Sequence, residues 1–320
     1  MVLNGRPLFL FWQFNGDNLN YCNYRCPYCY GQKKAMQNLW KPELPWEEMF
    51  KKLKRDIYFV LSYGESTVSP GFFEVLDIIG KHENWECCLI TNLSQDPTKM
   101  LNSKLAREGR LYITACYHPL GGAEFNKFTS HLLKVKKAQV KLITMFLLYP
   151  LQKRLYPALW GFCEENNIRC YLRRFNWTSG GRKYPESYSL EERKLLESYY
   201  IPKVVKYGLN FTSPKNMKCS AGKDMILVHE NGDVGYCADD ANNIFGNLFN
   251  ENFKLNSEDT ICQSSCCGGD YGMLHLKDPD YPMPQMGHDN FVCLVDNIKE
   301  GNPPFYPKRV EIEKWLKLVF

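Results

Sequence analysis

The sequence predicts an α/β fold around a parallel sheet, followed by a small cysteine-rich α+β extension. Short apolar runs alternate with amphipathic stretches from the start of the chain to about residue 180, the order that builds a parallel sheet with crossover helices. Beyond that point the composition changes, and cysteines recur with metal-like spacing. The longest apolar stretch, 142–151, falls far short of a membrane span.

Taken in order, the first strand is read at 8–14, where Leu8-Phe9-Leu10-Phe11-Trp12 is too short and too bulky for a signal peptide. Further strands follow at 57–63, 87–91, 111–117, 140–148 and 168–175. Helices lie between them at 46–55, 71–81, 98–107, 124–138 and 153–166. The basic run Lys51-Lys52-Leu53-Lys54-Arg55 forms the wet face of the first helix rather than a nucleic-acid footprint. A last helix at 190–206 opens on Ser189, whose hydroxyl suits an N-cap. This alternation fits a doubly wound open sheet as well as it fits a barrel.

The totals are those of an ordinary globular protein: 320 residues, 44% hydrophobic, 23% charged, net charge +5. Fourteen cysteines in a chain this long, clustered towards both ends, point to metal sites in a reducing cytoplasm rather than to a disulfide scaffold. Neither a nucleic-acid nor a membrane partner is expected.

The most informative feature is Cys22-x3-Cys26-x2-Cys29, directly after the first strand. Three thiolates on one short loop suit a cubane iron–sulfur cluster whose fourth iron has no protein ligand. A structural zinc site wants two paired knuckles, and Cys22 is surplus to the single pair Cys26–Cys29. A ferredoxin run would need another cysteine close behind, but position 33 is Lys. The spacing, with aromatic Tyr28 before the last cysteine, resembles the radical S-adenosylmethionine (radical SAM) superfamily. That resemblance decides between the two sheets: it implies a partial (β/α)6 TIM-like barrel. It also implies a [4Fe-4S] cluster on Cys22, Cys26 and Cys29, with SAM chelating the open iron.

In parallel α/β barrels the chemistry gathers at the C-terminal ends of the strands. The cysteine loop, Tyr63-Gly64-Glu65-Ser66, Thr91-Asn92 and Cys116-Tyr117-His118-Pro119 all follow strand ends. Where the superfamily usually has Gly-Gly-Glu-Pro, this chain keeps Gly64 and Glu65 and departs on either side. The resemblance gives Glu65 the SAM amino group, Asn92 and Cys116 the ribose, and the Tyr28 backbone the adenine. His118 is read as a substitute for the thiol Cys116, a weak donor, as a residue that touches substrate, or as a structural histidine. One of Arg173 and Arg174 could pair with the cofactor carboxylate, or both could make structural ion pairs. Reduction of SAM would then give a 5′-deoxyadenosyl radical that takes a hydrogen atom from substrate.

The last third carries Cys219, Cys237, Cys262, Cys266, Cys267 and Cys293. Asn231-Gly232 between two apolar runs reads as a type I′ hairpin returning Cys237 towards Cys219. This order, with Gly246-Asn247, resembles the SPASM/twitch extension and implies one auxiliary iron–sulfur cluster on Cys219, Cys237, Cys262 and Cys266. Cys267 and Cys293 are left as alternative ligands or as a hydrogen-atom donor, and zinc on four of these thiolates is the other reading. The domains are read as 1–210 for the barrel and 211–320 for the extension. A helix is read at 310–318.

The reaction expected is oxidation or epimerisation of a small molecule such as a sugar-like or aminocyclitol unit. An external one-electron donor such as flavodoxin or ferredoxin would serve it. The alternatives are modification of a peptide or protein residue, and a non-catalytic electron-transfer protein. Peptide-modifying members often carry a leader-recognition domain, whereas here the first ligand is already Cys22, which favours the small molecule.

Overall fold

The computed structural model describes residues 7–16, 21–29, 37–267 and 270–281. Cys293, the Gly268-Gly269 pair and the helix read at 310–318 lie outside them. In chain order the strands are β1 (Leu8–Gln13), β2 (Ile57–Leu61), β3 (Trp85–Thr91), β4 (Leu111–Tyr117), β5 (Lys141–Leu148) and β6 (Arg169–Arg174). Then come β7 (Thr178–Ser179), β8 (Arg182–Lys183), β9 (Lys218–Cys219), β10 (Met225–His229), β11 (Asp233–Gly235), β12 (Ile244–Asn247) and β13 (Thr260–Ile261). The helices are α1 (Trp46–Lys52), α2 (Phe72–Gly80), α3 (Thr98–Leu101), α4 (Lys104–Arg107), α5 (Phe125–Lys137), α6 (Tyr156–Glu165), α7 (Leu190–Tyr199), α8 (Pro202–Val204) and α9 (Asp270–His275).

The chain divides into two compact units, Met1–Leu142 with Ser220–Thr260, and Ile143–Cys219 with Ile261–Phe320. In the first, the strands run in the order β12-β11-β10-β1-β2-β3-β4. Every pair from β10 to β4 is parallel, and β11 and β12 return antiparallel. β1 and β2 are buried along their whole length, which is why their sequences are apolar at every position instead of alternating. On one face Trp12 packs its ring 4.8 Å from Phe50 and 5.2 Å from Trp46, both on α1. On the other face Phe9, Tyr58 and Tyr112 stack across β1, β2 and β4, with successive centroids 5.3 and 5.5 Å apart. Residues of β1 alternate between these faces, so Gln13 and Trp12 point apart.

Three local readings are corrected. The helix read at 98–107 is two short helices, because Ser103 accepts from Ala106 N at 3.3 Å and starts a new N-terminus. The helix read at 190–206 ends at Tyr199; Pro202 opens α8, which runs on into a π turn, Val205–Leu209. The Asn231-Gly232 hairpin forms, but only Gly232 is left-handed, with φ +86°, whereas a type I′ turn requires Asn231 to be so as well. Its Gly232 N–H donates to His229 O at 3.0 Å instead. A further finding is that β10, within the segment read as the extension, pairs directly with β1.

In the second unit β5 and β6 pair in parallel, with Met145 opposite Tyr171. Ser189 caps α7 as the sequence predicts: its hydroxyl accepts from Glu192 N at 3.2 Å, and Glu192 returns a carboxylate to Ser189 N at 2.8 Å. A capping box satisfies two otherwise orphaned donors. Replacing Ser189 by Ala is expected to cost about 1 kcal/mol, measured by denaturant unfolding; Ser189→Asp should recover most of it.

Candidate functional site

The loop that carries the three N-terminal cysteines is stitched to the ends of β2, β3 and β4. Tyr21 O accepts from Glu65 N at 2.7 Å, just after β2. Asn23, between the first two cysteines, donates to Ser94 Oγ at 2.9 Å and accepts from Asn92 Nδ2 at 3.0 Å, both just after β3. Arg25 N donates to Gly121 O at 3.1 Å, and the Tyr28 hydroxyl meets His118 Nδ1 at 2.7 Å, both beyond β4. Five polar ties thus collect on one rim the segments that the sequence singled out separately.

Cys22 is half-buried, Cys26 buried and Cys29 exposed. Cys29 N donates to Cys26 O at 3.0 Å, closing a tight turn, and Tyr24 N donates to Cys22 Sγ at 3.4 Å. Burial pushes the Cys22 thiol up to about 11 and the Cys26 thiol to about 12, and the neighbouring thiols and Glu65 add to this. Stripped of a cation, this is a poor place for negative charge. A bound metal reverses that logic by compensating the thiolates directly. Among the described residues no three such side chains are already drawn to one metal position. Gly121 is required where it stands, since a Cβ there would fall 2.3 Å from Cys26 Sγ.

Glu65 is almost wholly buried, at 1% exposure. Its Oε1 accepts from Thr67 N at 3.2 Å, Thr67 Oγ1 at 2.5 Å and Thr91 Oγ1 at 2.7 Å; its Oε2 accepts from Asn92 N at 2.5 Å. Burial raises its pKa, and these four bonds pull back towards the carboxylate. Gly64, at φ +62°, makes the turn that delivers it. Beside Glu65 a small cavity is lined by Gln13, Asn15, Tyr21, Tyr63 and Ser66, among others. Gln13 is 3% exposed, and among the described residues its Oε1 has no hydrogen-bond partner. An amino group is the kind of donor that Gln13 Oε1 lacks and that Glu65 Oε2, which accepts one bond only, can also take, so the residues present fit a ligand such as the SAM methionyl end.

Other sequence-predicted residues are placed as follows. Asn92 is buried, and its side chain is engaged with Asn23 and with Ser94 N. Cys116 is buried at the end of β4, with Sγ towards Thr114 O at 3.8 Å. In the second unit Arg174 is buried and lies over the Tyr200 ring. Cys219, Cys262 and Cys266 belong to the second unit and Cys237 to the first. Asn23, Ser94 and Gly121 were missed, and Thr91 was read only as the strand-end neighbour of Asn92, without its bond to Glu65. Of these, only Asn23 carried any signal, its place between two ligand cysteines.

Solved structures with this arrangement of elements give the comparison. SuiB of Streptococcus suis, bound to S-adenosylmethionine, superposes with a TM-score of 0.54 and 16% identity over 78% of this chain and 63% of that one. Native anSMEcpe with bound AdoMet and Kp18Cys peptide superposes with a TM-score of 0.55 and 16% identity, over 76% and 78%. Both are radical SAM enzymes. The chain has their fold. The expected partial (β/α)6 barrel is therefore borne out, although the chain spans less than two thirds of SuiB. No family model matches the sequence, and no curated protein does.

Replacing Gly121 by Ala is expected to destabilise the fold by about 1–3 kcal/mol, the cost of forcing a group into a filled space. Gly161→Ala, in α6 with nothing within 4 Å of the new Cβ, should be neutral or stabilising by up to about 1 kcal/mol. Denaturant unfolding of the two variants makes the comparison.

Proposed function

We propose that this chain is a radical SAM enzyme that cleaves SAM reductively and removes a hydrogen atom from its substrate. One observation carries the reading: the Cys22–Cys29 loop is bonded to Glu65, Asn92 and His118 on the C-terminal rim of a fold whose relatives hold SAM. Cys22, Cys26 and Cys29 would hold three irons of a [4Fe-4S] cluster. Gly64 and Glu65 would receive the SAM amino group, Glu65 through Oε2, which accepts a single bond, from Asn92 N. Asn92 would offer the ribose what its ties to Asn23 and Ser94 leave over, Cys116 would face the same ribose, and the Tyr28 backbone the adenine. When bound, cluster and SAM supply an electron and a 5′-deoxyadenosyl radical. The protein's own part is to fix the loop, shield the rim from water and orient the substrate.

A second, auxiliary cluster would sit on Cys219, Cys237, Cys262 and Cys266, with Cys267 as an alternative ligand, in an extension at 211–320 that follows a barrel at 1–210. A small acidic electron carrier of the flavodoxin or ferredoxin kind would deliver the electron. Oxidation or epimerisation of a sugar-like or aminocyclitol molecule is one reading of the substrate. Modification of a peptide residue is the other, and it draws support from SuiB bound to its precursor peptide SuiA and from anSMEcpe bound to Kp18Cys peptide. Among the described residues no helix is long and apolar enough to cross a membrane.

Anaerobically reconstituted, dithionite-reduced protein given SAM should form 5′-deoxyadenosine and methionine, quantified by liquid chromatography. Alanine at Cys22, Cys26 or Cys29 should abolish both products. A reduced, iron-loaded protein that forms neither would sink the proposal and leave only the electron-transfer reading.

A further inference from the structure

Lys203, on α8 in the second unit, is a buried ammonium with no ion-pair partner among the described residues. It is 3% exposed, and its Nζ uses one of three donors, on Leu276 O at 2.5 Å. Among the described residues no carboxylate lies within ion-pairing distance of it. The nearest charged acceptor in its field is Asp278, which is already held by Lys206 Nζ at 2.9 Å and by the Tyr207 hydroxyl at 2.6 Å. A buried cation with two unused donors is costly unless something anionic joins it.

The remaining groups in its field are a second cation, Lys277, which adds to the need for negative charge, and two thiols, Cys219 and Cys267. Both are buried, at 6% and 7% exposure, whereas Cys266 is exposed. The same short stretch of backbone holds lysine and thiol together. Leu276, whose carbonyl receives Lys203, forms an antiparallel bridge with Cys219, and Lys277 N donates to Lys218 O at 2.8 Å. Metal-bound thiolates would supply the missing negative charge, because a centre with four cysteinate ligands is anionic whether it holds iron–sulfur or zinc.

We propose that Lys203 is the counter-cation of a metal centre ligated by Cys219 and Cys267, with Cys267 and not Cys266 as the ligand from that adjacent pair. The proposal rests on the reading of a second metal centre and on nothing at the N-terminal cysteines. Lys203 touches no substrate in this account; it is a positioning residue that acts through the charge of the centre. A nearby cation makes an iron–sulfur centre easier to reduce.

The test uses the full chain with Cys22, Cys26 and Cys29 replaced by Ala, reconstituted anaerobically with ferrous iron and sulfide, so that remaining iron reports the second centre. Cys267→Ala should lose that iron and Cys266→Ala should keep it. Lys203→Met should bind less iron and shift the midpoint potential to more negative values, and Lys203→Arg should restore both. Metal-free Lys203→Met should melt no lower than its metal-free parent; a lysine serving only its bond to Leu276 would melt lower with or without metal. The proposal is overturned if the parent binds no iron, if Cys266→Ala loses the iron that Cys267→Ala keeps, or if Lys203→Met matches the parent in iron content and potential. Should Lys203→Met fail to fold, the Cys266 and Cys267 pair decides alone. Iron retained at this centre in a chain that never cleaves SAM would sink the proposed function and leave this assignment standing.

Discussion

The buried carboxylate of Glu65 is the fixed point on which the rim of the first unit depends. Three residues at the ends of two strands, Thr67, Thr91 and Asn92, aim donors at it, while its own backbone N–H holds Tyr21 at the head of the cysteine loop. A charged acceptor taken out of water must be hydrogen-bonded, and that requirement locks the ends of β2 and β3 together. The loop then needs only Asn23, Arg25 and Tyr28 to be set against β3 and β4. Placement of the loop that carries the three thiols is therefore a consequence of hydrogen-bond satisfaction.

Much of this was legible in the residues. The six strands of the barrel stood out because apolar runs such as Leu8-Phe9-Leu10-Phe11-Trp12 have no use except burial on both faces, and they form β1 to β6 close to the positions read. Ser189 announced its helix because a hydroxyl three residues before a glutamate has a specific bond to make. Other features left no such mark. The break between α3 and α4, and the π turn after Pro202, follow from local competition for backbone donors that periodicity does not register. The pairing of β10 with β1 joins residues over two hundred positions apart, a contact that no local pattern encodes.

The site divides along the same line. Cysteines and a strand-end glutamate were visible by chemical type. Asn23, Ser94 and the bond of Thr91 to Glu65 were not, because small polar residues have no spacing that separates a structural tie from an ordinary loop. Asn92, read by type as a ribose partner, also has a structural part that type does not announce: its side chain ties Asn23 and the turn at Ser94. Gly121 is legible only in space, where the sulfur of Cys26 fills the volume that a Cβ would need. In the second unit the same rule about buried charge that explains Glu65 marks Lys203, with the difference that Lys203 lacks its partner.

The central claim is that the cluster on Cys22, Cys26 and Cys29 has one iron free to take SAM. Electron paramagnetic resonance of the reduced, reconstituted protein, recorded before and after SAM is added, tests it most directly. The account predicts that SAM changes the g values of the N-terminal cluster and that the Cys22→Ala protein shows no such change. A spectrum from a fully loaded cluster that stays the same at saturating SAM would contradict it.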